Sequence, residues 1–102
     1  MPAYIVGNIT VTDPEAYKEY AAKAPETIYG HGGKYLVRGG AFEVLEGDWQ
    51  PDRLVVLEFP DAETLKTWYY SDAYQAILPI RQKNSKGSIV FVDGFNPPQK
   101  LE

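Results

Sequence analysis

The run Arg53-Leu54-Val55-Val56-Leu57-Glu58-Phe59, closed by Pro60-Asp61, constrains this chain more than any other stretch. A short apolar, β-branched run bounded by turn residues reads as a strand central to a sheet. It lies inside Glu46–Tyr74, which reads as a turn, that strand, and a helix entered through Asp61. A central strand needs neighbours on both edges, so the rest of the chain must supply strands that pair with it.

The upstream chain does so. Residues 3–12 alternate and are β-rich, with Ala3, Ile5, Ile9 and Val11 on one face and Tyr4, Val6, Asn8 and Thr10 on the other. Asp13-Pro14 starts a helix, since Asp accepts backbone N–H bonds at the cap and Pro loses nothing at the first helical position. Tyr17, Tyr20, Ala21, Ala24 and Ile28 then fall at helical spacing to about Tyr29, with Pro25 expected to break or kink the last turn. Gly30, Gly32 and Gly33 end it. Lys34 to about Glu46 reads as one long strand bent at Gly39-Gly40, or as two short collinear ones.

Downstream, Ala62 to about Tyr70 forms a helix burying Leu65, Trp68 and Tyr69. Ser71-Asp72 caps a further helical piece, Ala73–Lys83, in which Tyr74, Ile77, Leu78 and Arg81 share a face and Pro79 kinks the axis. Ser88–Asp93 is the last strand. Residues 1–94 form a single domain, and 95–102, with Pro97-Pro98, an extended or frayed tail.

Strand, helix, strand, strand, helix, strand gives an α+β, ferredoxin-like βαββαβ arrangement, an antiparallel sheet with its helices on one face. The other face is left bare. Tyr4, Val6, Leu36, Leu54, Val56 and Ile89 on that face would make an apolar patch too large for a monomer, and a sheet-on-sheet homodimer covers it.

Composition narrows the function. A chain of 102 residues with 14% aromatic content has room for one core and for a pocket or an interface. The absence of cysteine excludes disulfides, thiolate metal sites and cysteine nucleophiles, and the lone His31 leaves little metal chemistry, so no metal and no cofactor are expected. A net charge of −4 with scattered basic residues argues against nucleic acid. No apolar run approaches a membrane span and the N-terminus lacks a signal-peptide pattern, so a soluble cytoplasmic protein is the default.

The segments Val37-Arg38-Gly39-Gly40, Leu45-Glu46-Gly47-Asp48-Trp49, Arg53–Pro60, Trp68-Tyr69, Ser71, Tyr74-Gln75 and Arg81-Gln82 resemble the bacterial family known as domain of unknown function 1330. The resemblance runs from about Tyr4 to Gly94. It implies the dimeric α/β-barrel superfamily, whose members include cofactor-free monooxygenases, haem-degrading enzymes, muconolactone isomerases and ligand-sensing domains.

Alternation places Asn8, Arg38 and Glu58 together on the dimer-covered face, a polar trio suited to a small-ligand cavity between the two sheets. In one reading Arg38 binds a carboxylate or enolate oxygen and Glu58 acts as a base raised by burial. In the other, Arg38 and Glu58 pair with each other and no site exists. His31, in a glycine-flanked turn, is either a base or haem ligand or an idle surface group. Trp68 reads as core and Trp49 as an interface residue, with ligand stacking as the alternative role for the aromatic set. Two functions remain: an enzyme on a small aromatic or enolisable metabolite, or a non-catalytic ligand-binding, structural or stress-associated dimer.

Overall fold

The computed structural model describes residues 1–95, so all of the expected tail except Phe95 lies outside the described residues. Seven elements follow one another: β1 (Ala3–Val11), α1 (Pro14–Gly30), β2 (Lys34–Arg38), β3 (Leu54–Phe59), α2 (Ala62–Tyr69), α3 (Asp72–Asn84) and β4 (Ser85–Asp93). The strands form one antiparallel sheet in the order β2-β3-β1-β4. The three helices cover one face, and the molecule is 17 Å thick, the depth of one helical layer on one sheet.

Local signals set the helix starts as expected. Asp13, Asp61 and Ser71 each accept a backbone N–H of the first turn, from Ala16, Thr64 and Tyr74. Alternation along β1 buries Ala3, Ile5 and Ile9, and Ala3 and Ile5 meet Leu57 and Phe59 of β3 and Ala24, Ile28, Leu65, Trp68, Tyr74, Ile77 and Leu78 from the helices. Phe59 is wholly buried and its ring lies 5.2 Å from that of Trp68. Burying such a side chain contributes about 2–3 kcal/mol.

Three expectations need correction. The helix α1 does not break at Pro25 but continues to Gly30. Proline removes the N–H that would bond the Ala21 carbonyl one turn back, and Arg38 Nη2 donates to that carbonyl instead, at 2.8 Å. The last strand begins at Ser85, three residues earlier than Ser88, because α3 runs straight into it.

The second strand stops at Arg38, and residues 39–53 carry no regular structure. Gly39 has φ of 69°, a left-handed conformation that turns the chain out of the sheet, and the Arg53 guanidinium occupies the space a side chain there would need. The loop is tied at its base: Gly39 N–H donates to the Leu54 carbonyl at 2.8 Å, and Asp52 N–H donates to Asn8 Oδ1 at 2.8 Å. Beyond that base, Phe42, Val44, Leu45 and Trp49 are exposed.

Candidate functional site

The register of β2 decides where the polar side chains go. Lys34 lies opposite Glu58 and Tyr35 opposite Leu57, but the next partner of Val56 is Val37 rather than Leu36. Leu36 is an extra residue, a β-bulge, and every side chain after it changes face. Arg38 therefore lies opposite Val55 and points toward the helices.

The expected trio is thereby separated. Glu58 stays on the open face, where Tyr4 Oη donates to it at 3.1 Å and Lys34 Nζ lies 3.3 Å away. That hydrogen bond holds the Tyr4 hydroxyl above its ordinary pKa. Asn8 is on the same face but is committed to the loop through Asp52. Arg38 pairs with neither. Its guanidinium stacks 4.7 Å from the Tyr35 ring and donates to the Ala21 carbonyl. The Arg38–Glu58 pair of the alternative reading is absent as well, because the sheet lies between them.

The other sequence candidates divide. His31 caps α1: its N–H donates to the Ile28 carbonyl and its Nδ1 lies 2.8 Å from the Thr27 carbonyl, which requires the proton on Nδ1. It lines none of the three hollows described below. Trp49 is 60% exposed in the 39–53 loop. Only Trp68 and Arg38 reach a cavity.

That cavity lies between the sheet and the helices of the chain. It encloses about 50 Å³, and two hollows of about 380 and 310 Å³ share its Tyr69 and Ile89 walls along β4. Ile89 lies here, on the helix face, rather than on the bare face, and leans over Gly7 where a side chain would stand. The walls are Ile5, Ile9, Val55 and Leu57 from the sheet and tyrosines and Trp68 mainly from the helices.

A polar array crosses this apolar space. Tyr20 Oη of α1 and Tyr74 Oη of α3 lie 2.7 Å apart, and Arg81 Nε donates to Tyr74 Oη at 3.4 Å. Burial, and then Tyr74, push the Tyr20 hydroxyl far above its ordinary pKa, so it stays protonated as a donor. Burial works against the charge of Arg81, but the surrounding tyrosines more than offset it and its pKa rises. Burial likewise raises Tyr17, opposed by Arg53, Arg81 and Arg38, all of which act on it electrostatically.

Sequence reasoning placed Tyr17, Tyr20, Tyr74 and Arg81 on buried helix faces without seeing them as a site. The signal was present: an arginine at the end of the otherwise apolar stripe Tyr74, Ile77, Leu78 needs a buried polar partner. Among the described residues no group of three His, Asp or Glu could hold a metal, and no helix is long and apolar enough to cross a membrane.

The β2-β3-β1-β4 antiparallel sheet with all helices on one face defines an α+β fold of the ferredoxin-like class. Within that class, the chain belongs to the family described as "Domain of unknown function (DUF1330)", whose model matches residues 2–95. No curated protein sequence matches it.

Solved structures share the fold at low identity. A protein of unknown function from Rhodopseudomonas palustris superposes with a TM-score of 0.74 at 17% identity, over 94% of this chain and 84% of that one. SnoaB, a cofactor-independent oxygenase from Streptomyces nogalater, gives 0.61 at 14% identity, over 98% and 96%. Rv0793 from Mycobacterium tuberculosis gives 0.56 at 13% identity, over 95% and 98%.

Proposed function

We propose that this protein is a homodimer whose protomers each bind a small aromatic or enolisable organic molecule in the cleft between sheet and helices. The observation that carries the reading is the Tyr20–Tyr74–Arg81 array. Polar side chains set in an apolar, aromatic cavity are what orients a small ligand. One hydroxyl proton of the Tyr20–Tyr74 pair is spent on the bond between them, and the other, with the fixed charge of Arg81, suits an oxygen atom that carries or develops negative charge. The cofactor-independent oxygenase among the structural neighbours shares this fold, and chemistry of that kind, through an enolate held in the cleft, is the activity the array fits best. Glu58 has no part in it, since it faces away from the cleft.

A second reading draws on the small enclosed volume. About 50 Å³ is below the range of ordinary ligand pockets, roughly 300–1,000 Å³, so the cleft could be closed by its own side chains in a structural dimer. The adjoining hollows favour binding, because they give about 380 and 310 Å³ of further space against the same Ile89 and Tyr69 walls.

Fluorescence of Trp68 decides between them. Trp68 lines the cleft and Trp49 is the other tryptophan, so a Trp49→Phe protein reports the cleft alone. Titrating it with a panel of small aromatic alcohols, phenols, acids and diketones should give saturable quenching by at least one class, lost when Ala21→Leu fills the wall. No saturable change across the panel makes the structural dimer the better account.

A further inference from the structure

The chain holds only three arginines, Arg38, Arg53 and Arg81, each from a different part of the sequence, and all three line the same cleft. No lysine and no carboxylate lines that enclosed space among the described residues, and Lys66 and Lys86 line the two adjoining hollows. Among the described residues none of the three guanidiniums is in an ion pair; the pairs formed there are Lys18–Glu15, Lys23–Glu19 and Lys34–Glu58. In a chain of net charge −4, this gathers the arginine charge where its acidic residues are not. Like charges brought together without counter-charge repel, and such an arrangement is tolerable where an anion completes it.

Donor geometry points the same way. Arg38 uses Nη2 on the Ala21 carbonyl and Arg81 uses Nε on Tyr74, but the buried Nε of Arg53 has no hydrogen-bond partner among the described residues. Buried donors without a partner are rare in folded proteins and call for one. Arg53 is half-buried, pressed against Gly39 at the sheet end of the cleft, and its backbone carbonyl is fixed by Ile9 N–H at 2.9 Å. The side chain is thus held by the loop base, with its Nε without a partner among the described residues.

Arginine rather than lysine also selects the ligand's shape. A guanidinium is a planar fork that matches a carboxylate with two parallel hydrogen bonds and stacks on aromatic faces, as Arg38 does on Tyr35 and as Arg81, 6.0 Å from the Tyr20 ring, does more loosely. The remaining wall is aromatic: Tyr17, Tyr35, Trp68 and Tyr69.

We infer that the ligand of this cleft is a small planar aromatic anion, its carboxylate or ionised enol oxygen held among Arg53, Arg81 and Arg38 and its ring packed against Tyr69 and Ile89. This rests on the reading of the cleft as a binding site, and adds the charge and shape of what enters.

Benzoate and benzamide, planar and nearly equal in size, differ in charge at neutral pH. In the Trp49→Phe protein benzoate should bind at least about tenfold tighter than benzamide, since a charge-assisted hydrogen bond is worth that much or more. Raising the salt concentration should weaken benzoate alone. Arg53→Gln should cut benzoate binding about tenfold and leave benzamide unchanged, and Arg81→Gln should do the same if it folds, which circular dichroism checks. Equal binding of the two compounds, or benzoate binding indifferent to Arg53→Gln, overturns the anion inference and leaves the cleft reading standing. Silence of both at Trp68 removes the two together.

Discussion

Arg38 shows how one side chain can be recruited for two purposes. Its guanidinium bonds the carbonyl that Pro25 leaves without a partner, and it adds charge at the rim of the cleft. Asp61 is simpler, a helix cap whose carboxylate accepts the Thr64 N–H at 2.7 Å. That bond, with the Thr64 hydroxyl second, holds its pKa below the ordinary aspartate value. A depressed folded-state pKa means that Asp61 contributes stability above its unfolded pKa and loses it as pH falls through the folded value. The melting temperature of Asp61→Ala should therefore lie below that of the native protein at neutral pH, and the two should converge as pH falls below the aspartate range. Thermal unfolding across that pH series measures it; a gap that persists in acid would assign the effect to something other than the charged cap.

At the scale of elements, α1 and β2 are coupled through the Ala21 carbonyl. With proline at position 25 the carbonyl depends on Arg38; with alanine there the helix can satisfy it internally. Arg38→Ala should cost about 1 kcal/mol or less in the native background, discounted because Arg38 is exposed, and measurably less in a Pro25→Ala background. Urea unfolding of the four proteins gives the coupling, expected at about 0.5 kcal/mol. Strict additivity would mean that the hydrogen bond does not stabilise the helix. The bulge at Leu36 belongs to this scale as well, because removing the extra residue would send Arg38 to the opposite face.

At the scale of the whole molecule, the sheet presents its bare face to solvent. Leu36, Val37, Val90 and Val92 are each more than a third exposed there, and Val6, Leu54 and Val56 continue the apolar surface between them. Such a patch is large for a monomer, and the exposed Phe42, Val44, Leu45 and Trp49 of the 39–53 loop add further apolar area beside it. A second copy packed face to face would bury the patch, which is the dimer proposed above. Val56→Asp, at the centre of that face, should give monomer or aggregate in analytical ultracentrifugation. A dimer that survives the substitution locates the interface elsewhere.

Local chemistry alone determined the elements and their order. Asp13-Pro14, Asp61 and Ser71 start helices by hydrogen bonds within one turn, and the alternation of β1 and the apolar run of β3 assign strands and faces by a period of two. From these follow the ferredoxin-like fold and its bare apolar face. The site was legible only in its members, with Trp68 and Arg38 singled out and Tyr20, Tyr74 and Arg81 read as helix faces. What brought them together was tertiary: a bulge of one residue at Leu36, invisible in a pattern that alternates well enough without it, moved Arg38 off the face of Glu58 and Asn8. Likewise the Gly39-Gly40 pair reads in the sequence as a bend within a strand or a break between two collinear ones, whereas the chain leaves the sheet there, with Arg53 close against Gly39. Spacing along a chain specifies which side of an element a residue occupies only while the register is unbroken. Where it breaks, the partner strand and the layer packed against it decide.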